Sequence, residues 1–141
     1  MKKVFLASPL FSESEIWFDK QMVSLMEKLG FKVFWSWRDE RELRKRKELE
    51  GKDWTYKIYV LNRELIDKCD MVVACLDGSD VDSGTAWEIG YAVANKKPVI
   101  GIKTDGRLHG KNQVVNLMIQ ESVSKIVKSL KELEEELRKF R

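Results

Sequence analysis

Short apolar runs alternate along this chain with longer segments of helical spacing, and that alternation restricts it to a sheet with helical crossovers. "KVFLAS" is nearly continuous in apolar residues, as in a parallel strand buried on both faces. From Glu15 to Leu29 the residues Ile16, Phe18, Met22, Leu25, Met26 and Leu29 recur at helical spacing, and Gly30 supplies a stop. "FKVFWSW" reads as a second strand. After a charged stretch comes "DWTYKIYVLNRELIDKCD", a helix with Ile58, Leu61, Leu65 and Ile66 on one face. "MVVACL" is the third strand, "DSGTAWEIGYAVAN" a helix opened by Asp82 or Ser83 and closed near Asn95, and "KPVIGIK" the fourth strand. A short helical piece around "VVNLMIQ" precedes a small fifth strand, "SKIVK". Ser129 with Glu132 forms a capping box that starts the last helix, "LKELEEELRKF". The expected fold is α/β: an open, mostly parallel, five-stranded Rossmann-like (flavodoxin-like) sheet with helices on both faces. At 141 residues the chain fits one domain, 1–141, and needs no disulfide or metal to hold a core. Ligands of such sheets bind beyond the carboxyl ends of the strands, so the informative loops are "SPLF", "DGSDVDSGT" and "TDGRLHG".

Several function classes are disfavoured by what the chain lacks. The net charge of +3 is a balance of 26 Lys and Arg against 23 Asp and Glu, so neither nucleic acid nor a membrane is an expected partner. "RELRKRKELEGK" (Arg41 to Lys52) is the densest charge run, but acids interrupt it and it reads as a solvated helix or loop rather than a phosphate contact. Cys69 and Cys75 flank "DMVVA" and read as buried, reduced thiols. His109 is the only histidine, and with no Cys/His cluster at ligand spacing no metal site is expected. No G-x-G-x-x-G follows the first strand and no G-x-x-x-x-G-K-[ST] occurs, so no cofactor is expected either. The apolar run in "MKKVFLASPLF" is too short for a signal peptide and holds a Pro, which makes it the first strand of a cytoplasmic protein. Abundant Lys and Glu with few Asn and Gln hint at a heat-adapted source.

Within "TAWEIGYAVA" a single carboxylate, Glu88, has only apolar, small or hydroxyl neighbours. A helix apolar nearly all round is normally buried, and a charge in it is costly unless it is paired or used. Glu88 lies near the positive end of the helix dipole, which favours the anion, while burial and the acids Asp77, Asp80 and Asp82 of the preceding loop oppose it. Such a group at a ligand-binding edge suits nucleophilic or acid/base work, above all attack at an anomeric carbon. The plainer alternative is a solvated or hydrogen-bonded side chain at a helix start. Asp77 and Asp80 read first as turn-formers, and Asp82 reads equally as an N-cap.

"DGSDVDSGTAWEIGYA", preceded by "IDKCDMVVACL" and followed by "KKPVIGIKTDGR" and "VNLMI", resembles the nucleoside 2-deoxyribosyltransferase family, and "FLASPLF" is similar to that family's opening. The resemblance implies that Glu88 takes 2-deoxyribose from a nucleoside as a covalent intermediate and that Asp82 holds the sugar 5'-hydroxyl. It implies further that Asn116 reaches into a neighbouring subunit's site, so that the active species is a homo-oligomer, at least a dimer, with shared sites. Substrates would be 2'-deoxynucleosides and nucleobases. Ser8, Pro9 and Phe11 of the "SPLF" loop would line the base pocket, with core packing the alternative for Phe11. Several relatives carry an Asp that protonates or hydrogen-bonds the leaving base; Asn62 aligns with it here, and an amide cannot supply a proton. Some relatives place the terminal carboxylate in the site, whereas "KELEEELRKFR" reads as ending in solvent.

Two other functions compete. Hydrolases of the same superfamily cleave 2'-deoxynucleoside 5'-monophosphates, but their phosphate pocket needs serines, an Arg and small donor loops. Here the first strand ends in "SPLF", and a carboxylate aimed at the 5' position repels phosphate. A non-catalytic nucleotide sensor on the same sheet is permitted by the fold, but has no use for a desolvated carboxylate.

Overall fold

The computed structural model describes residues 1–45 and 53–141. Five strands, β1 (Lys3–Ala7), β2 (Lys32–Trp35), β3 (Met71–Cys75), β4 (Val99–Ile102) and β5 (Lys125–Val127), form one sheet in the order β2-β1-β3-β4-β5. Every neighbouring pair is parallel. The helices are α1 (Glu13–Lys28), α2 (Ser36–Lys45), α3 (Trp54–Lys68), α4 (Ser83–Ala94), α5 (Leu117–Ser122) and α6 (Leu130–Arg138).

Strand alternation divides the core in two. Val4 and Leu6 of β1 join Met22 and Met26 of α1 and Leu133 and Leu137 of α6 on one face. Phe5 and Ala7 join Ile66 of α3, Ile89 and Ala92 of α4 and Ile119 of α5 on the other. Each of the larger side chains among these contributes about 1.5–3 kcal/mol when removed from water, which is why helices cover both faces of a sheet whose strands are apolar throughout.

The chain steps from β1 outward to β2, then returns past β1 to β3, so the strand order reverses between β1 and β3. The connections leaving the carboxyl ends of these two strands run to opposite faces, into α1 and α4, and a crevice opens between them.

Two element boundaries and one helix cap differ from the sequence-based expectation, each for a local reason. α1 starts at Glu13 because Ser12 and Glu15 form a complete capping box: Ser12 Oγ accepts from the Glu15 amide, and Glu15 Oε1 accepts from the Ser12 amide at 2.9 Å. β2 stops at Trp35 because Asp39 Oδ2 takes the Trp35 amide at 2.7 Å, so "SW" opens α2 instead of prolonging the strand. At α6, Ser129 Oγ accepts from the Glu132 amide, but Glu132 takes the amide of Lys128 rather than that of Ser129, so the expected box is only half formed. The charged run Arg41 to Lys52 is helical as far as Lys45, and its remainder lies outside the described residues. Both cysteines are free and buried, and burial pushes the Cys75 thiol up to about 12.

Candidate active site

Two loops meet at the reversal between β1 and β3. The loop after β3 is held by a clasp. Asp77 accepts from the Thr104 amide at 2.6 Å, the Thr104 hydroxyl at 2.5 Å and the Asp105 amide at 3.1 Å. Asp105 in turn accepts from the Gly78 amide at 2.7 Å and pairs with buried Lys103 and with Arg107. Burial opposes ionisation of Asp105, but the Gly78 amide and the Lys103 ammonium outweigh it and hold its pKa at about 2. Gly78 has φ +125, a conformation that suits glycine and aims its amide at Asp105. Asp77, read first as a turn-former, therefore ties the β3 and β4 loops together, whereas Asp80 makes only a local bond to the Val81 amide.

Asp82 ends this loop as the N-cap of α4. Its Oδ2 accepts from the Thr85 amide at 2.9 Å and the Thr85 hydroxyl at 3.1 Å, which leaves Oδ1 without a partner among the described residues. Glu88 follows six residues on, largely buried, and makes no hydrogen bond or ion pair among the described residues. Burial first, and the charge of Asp82 second, push its pKa up to about 8. The favourable pull of the helix dipole, expected from sequence, does not prevail because it fades within the first turn. Asp77 and Asp80 do not share in the effect, since only Asp82 acts on Glu88.

The flank of α4 that carries Glu88 follows from its neighbours. Trp87 stacks on Tyr91 at 5.2 Å and meets Tyr59 of α3 edge-on at 5.7 Å, while the Tyr91 hydroxyl donates to Asp67 at the end of α3. Thr85, Ile89 and Ala92 point into the core. Glu88 falls between these two stripes, on the side of α4 that faces α3. The opposite flank carries Ala86, Gly90 and Ala94, which with Asn116, Met118 and Ile119 line an apolar groove of about 500 Å³. At about 100° per residue Gly90 stands nearly opposite Glu88 around the helix. The outer face of α4 is open, with Trp87 and Gly90 exposed, so this apolar helix is not buried all round.

The other sequence-predicted residues divide between locations. Phe11 is 77% exposed, which rules out core packing and leaves its ring free at the crevice mouth. Pro9 is buried beside it. Asn62 lies on the inward stripe of α3 with Ile58 and Ile66, and its Oδ1 is buried without a partner. Asn116 is exposed and caps α5, its Oδ1 accepting from the Met118 amide at 2.9 Å, on the Gly90 flank and away from Glu88 of its own chain. Ser8 continues the Val4 and Leu6 row, so its hydroxyl turns to the α1 face, beside Asp19 and Trp35. Its hydroxyl therefore faces the side of the sheet opposite to the helix that carries Glu88.

Asp19 is the residue missed from sequence. It is 1% exposed, and burial, partly countered by the nearby Ser8 hydroxyl and Trp35 indole, raises its pKa to about 7. The signal was available: Ile16, Asp19, Met22, Val23 and Met26 share one helical stripe, so Asp19 is a lone acid on an apolar face just as Glu88 is. Among the described residues, Ser8 Oγ, Asp19 Oδ2 and the Trp35 indole nitrogen on the α1 face, and Asn62 Oδ1 on the α3 face, are buried without hydrogen-bond partners, whereas native chains normally satisfy such groups.

A sequence profile described as nucleoside 2-deoxyribosyltransferase matches residues 4–118, a span holding Ser8, Phe11, Asn62, Asp82, Glu88 and Asn116. A 2-deoxyribosyltransferase from the psychrotolerant bacterium Bacillus psychrosaccharolyticus superimposes with a TM-score of 0.75 at 26% identity, over 94% of this chain and 90% of that one. A CMP N-glycosidase from Clostridium botulinum gives 0.61 at 22% identity, over 97% and 99%, a likeness of fold alone. An uncharacterized protein of Schizosaccharomyces pombe is 44% identical over 63 residues; the match spans 42% of this chain and only 30% of that curated relative's length.

Proposed function

The chain belongs to the nucleoside 2-deoxyribosyltransferase family, and from that premise we propose that it exchanges the base of 2'-deoxyribonucleosides through a covalent deoxyribosyl ester on Glu88. The observation that carries this reading is a largely buried carboxylate without a protein partner, one helical turn and a half beyond Asp82 at the strand-order reversal. A Glu88 oxygen attacks C1' as the C1'–N bond breaks, and the electron pair leaves with the base, which takes up a proton. An incoming base then attacks C1' of the ester from the opposite face, restoring configuration and freeing the carboxylate. Positive charge developing on the sugar favours the Glu88 anion that burial otherwise disfavours. The free Oδ1 of Asp82 accepts from the sugar 5'-hydroxyl, Asn62 hydrogen-bonds the base, and Phe11 stacks on it. The reading needs no cofactor.

The second reading, hydrolysis of 2'-deoxynucleoside 5'-monophosphates, draws on the fold shared with the CMP N-glycosidase. Against it stands Asp82, a carboxylate where the phosphate would lie. Lys103 and Arg107, the cations of the adjoining loop, are already paired with Asp105. Comparing deoxyinosine with its 5'-monophosphate, with and without an acceptor base, separates the two. Exchange on the nucleoside, with poor use of the monophosphate, is expected; monophosphate cleavage indifferent to added base would replace this reading with the second.

We also propose that a second copy covers the groove beside α4. Ala86, Gly90 and Ala94 recur every four residues and leave a flat apolar stripe, and the flanking Leu117 and Met118 are 51% and 72% exposed. The family resemblance then has the partner's Asn116 cross the open outer face of α4 to the Glu88 crevice. Asn116→Ala and Glu88→Ala chains, each inactive alone, are then expected to recover about a quarter of wild-type turnover when mixed, because half the dimers pair unlike chains and each of those has one intact site. Additive, near-zero activity in the mixture would mean that each site is built from one chain.

A further inference from the structure

A second cavity, of about 240 Å³, opens at the same strand-order reversal but on the α1 face of the sheet. Pro9 and Phe18 give it apolar walls, and Glu15, Asp19, Asp77 and Ser14 give it polar ones; no Lys or Arg lines it. Asp19 is 1% exposed, and its Oδ2 is buried without a hydrogen-bond partner among the described residues, with the Ser8 hydroxyl and the Trp35 indole nearby. Ser8 Oγ, 7% exposed, and the Trp35 indole nitrogen beside it are also buried without partners. Glu15 and Asp77 are satisfied by the α1 cap and by Thr104, so they need no ligand of their own. Asp19 therefore stands apart as the acid of this wall with a buried oxygen left unpartnered, beside space for one small group.

The chemistry of the wall selects the occupant. Carboxylates repel phosphates and carbonyl oxygens and accept from N–H groups, and flat apolar walls suit a ring. Pro9 lines this cavity and stands two residues before Phe11, so the loop that carries the proposed base-stacking ring also walls the cavity. We propose, on the deoxyribosyl-transfer reading, that this cavity receives the amino-bearing edge of the nucleobase and that Asp19 sets the preference for amino over oxo bases. Ionised, above the value of about 7 to which burial raises it, Asp19 accepts from the amino group and has no proton to give a ring carbonyl.

Adenine, cytosine, hypoxanthine and thymine as acceptors with one common deoxynucleoside donor test this, beside Asp19→Leu and Asp19→Asn. Leu at this position continues the apolar stripe of α1, and Asp19→Asn, which keeps an acceptor for Ser8 and Trp35, separates a loss of folding from a loss of recognition. The wild type is expected to favour adenine and cytosine by at least about tenfold in kcat/KM, the scale on which a hydrogen-bonding site rejects an analogue lacking the group. Asp19→Leu is expected to bring the amino-to-oxo ratio within about twofold, mainly through KM, with Asp19→Asn in between because its amide oxygen still accepts. No preference in the wild type, or an equal loss for all four bases in Asp19→Leu, would overturn the assignment while leaving the transfer reading intact. If no base is exchanged at all, the transfer reading fails by itself. Adenine titration followed by NMR then decides the cavity: shifts around Phe18 and Ser14 that vanish in Asp19→Leu support it, and their absence in the wild type refutes it.

Discussion

Glu88→Ala is expected to lose base exchange by at least about 10⁴-fold in kcat, with little change in KM, because the deletion removes the group that bonds to C1' and leaves the rest of the site to bind substrate. Glu88→Gln should lose as much, since an amide is isosteric but does not form the ester. Asp82→Ala should fall less, by about 10²-fold, because it misplaces the sugar and loosens the start of α4 without removing the nucleophile. Exchange between a deoxynucleoside and a labelled base, read by chromatography, measures all three. Substantial turnover by either Glu88 variant would remove that residue from the chemistry.

The second large effect is a pH dependence of both rate and stability, set by the same carboxyl. The nucleophile is the anion, and burial raises the pKa of Glu88 to about 8, so kcat/KM should climb by about tenfold per unit up to about 8 and then level. Stability should move the other way. The folded chain holds the Glu88 proton from about 4.5 to about 8 while the unfolded chain has released it. The unfolded state thus binds fewer protons in that window, so the stabilising contribution is full below the unfolded value and is lost as pH rises through the folded one. The total is on the order of several kcal/mol at most. Asp19 adds a loss of the same sign that ends near 7. Glu88→Gln, which titrates nowhere in this range, should therefore gain on the wild type in thermal stability as pH rises and reach a constant advantage above about 8. A constant difference across the range would mean that Glu88 is solvated in the folded chain.

Much of this architecture was legible because its elements carry local signals. The apolar runs of β1, β3 and β4 and the glycine after α1 suffice to place alternating strands and helices, and the right-handed crossover rule then yields a parallel sheet. Glu88 and Asp82 were legible as an acid on an apolar helix and a cap before it. Other features depend on partners far apart in the chain. Asp77 meets Thr104 and Asp105 across nearly thirty residues, and no spacing in "DGSDVDSGT" announces that clasp. The direction of Ser8 depends on which face of β1 α1 covers, and the end of β2 on a carboxylate four residues later. Asp19 was legible in principle, on the same grounds as Glu88, but the stripe around it was read for its apolar members alone.

The most direct test of the whole account is acid quench at a single turnover of a 2'-deoxynucleoside without acceptor base, followed by peptide mapping. A deoxyribosyl adduct on the peptide holding Glu88, chased off by added base, is the predicted result. Release of base with that peptide unmodified throughout, or with the sugar on another residue, would contradict it.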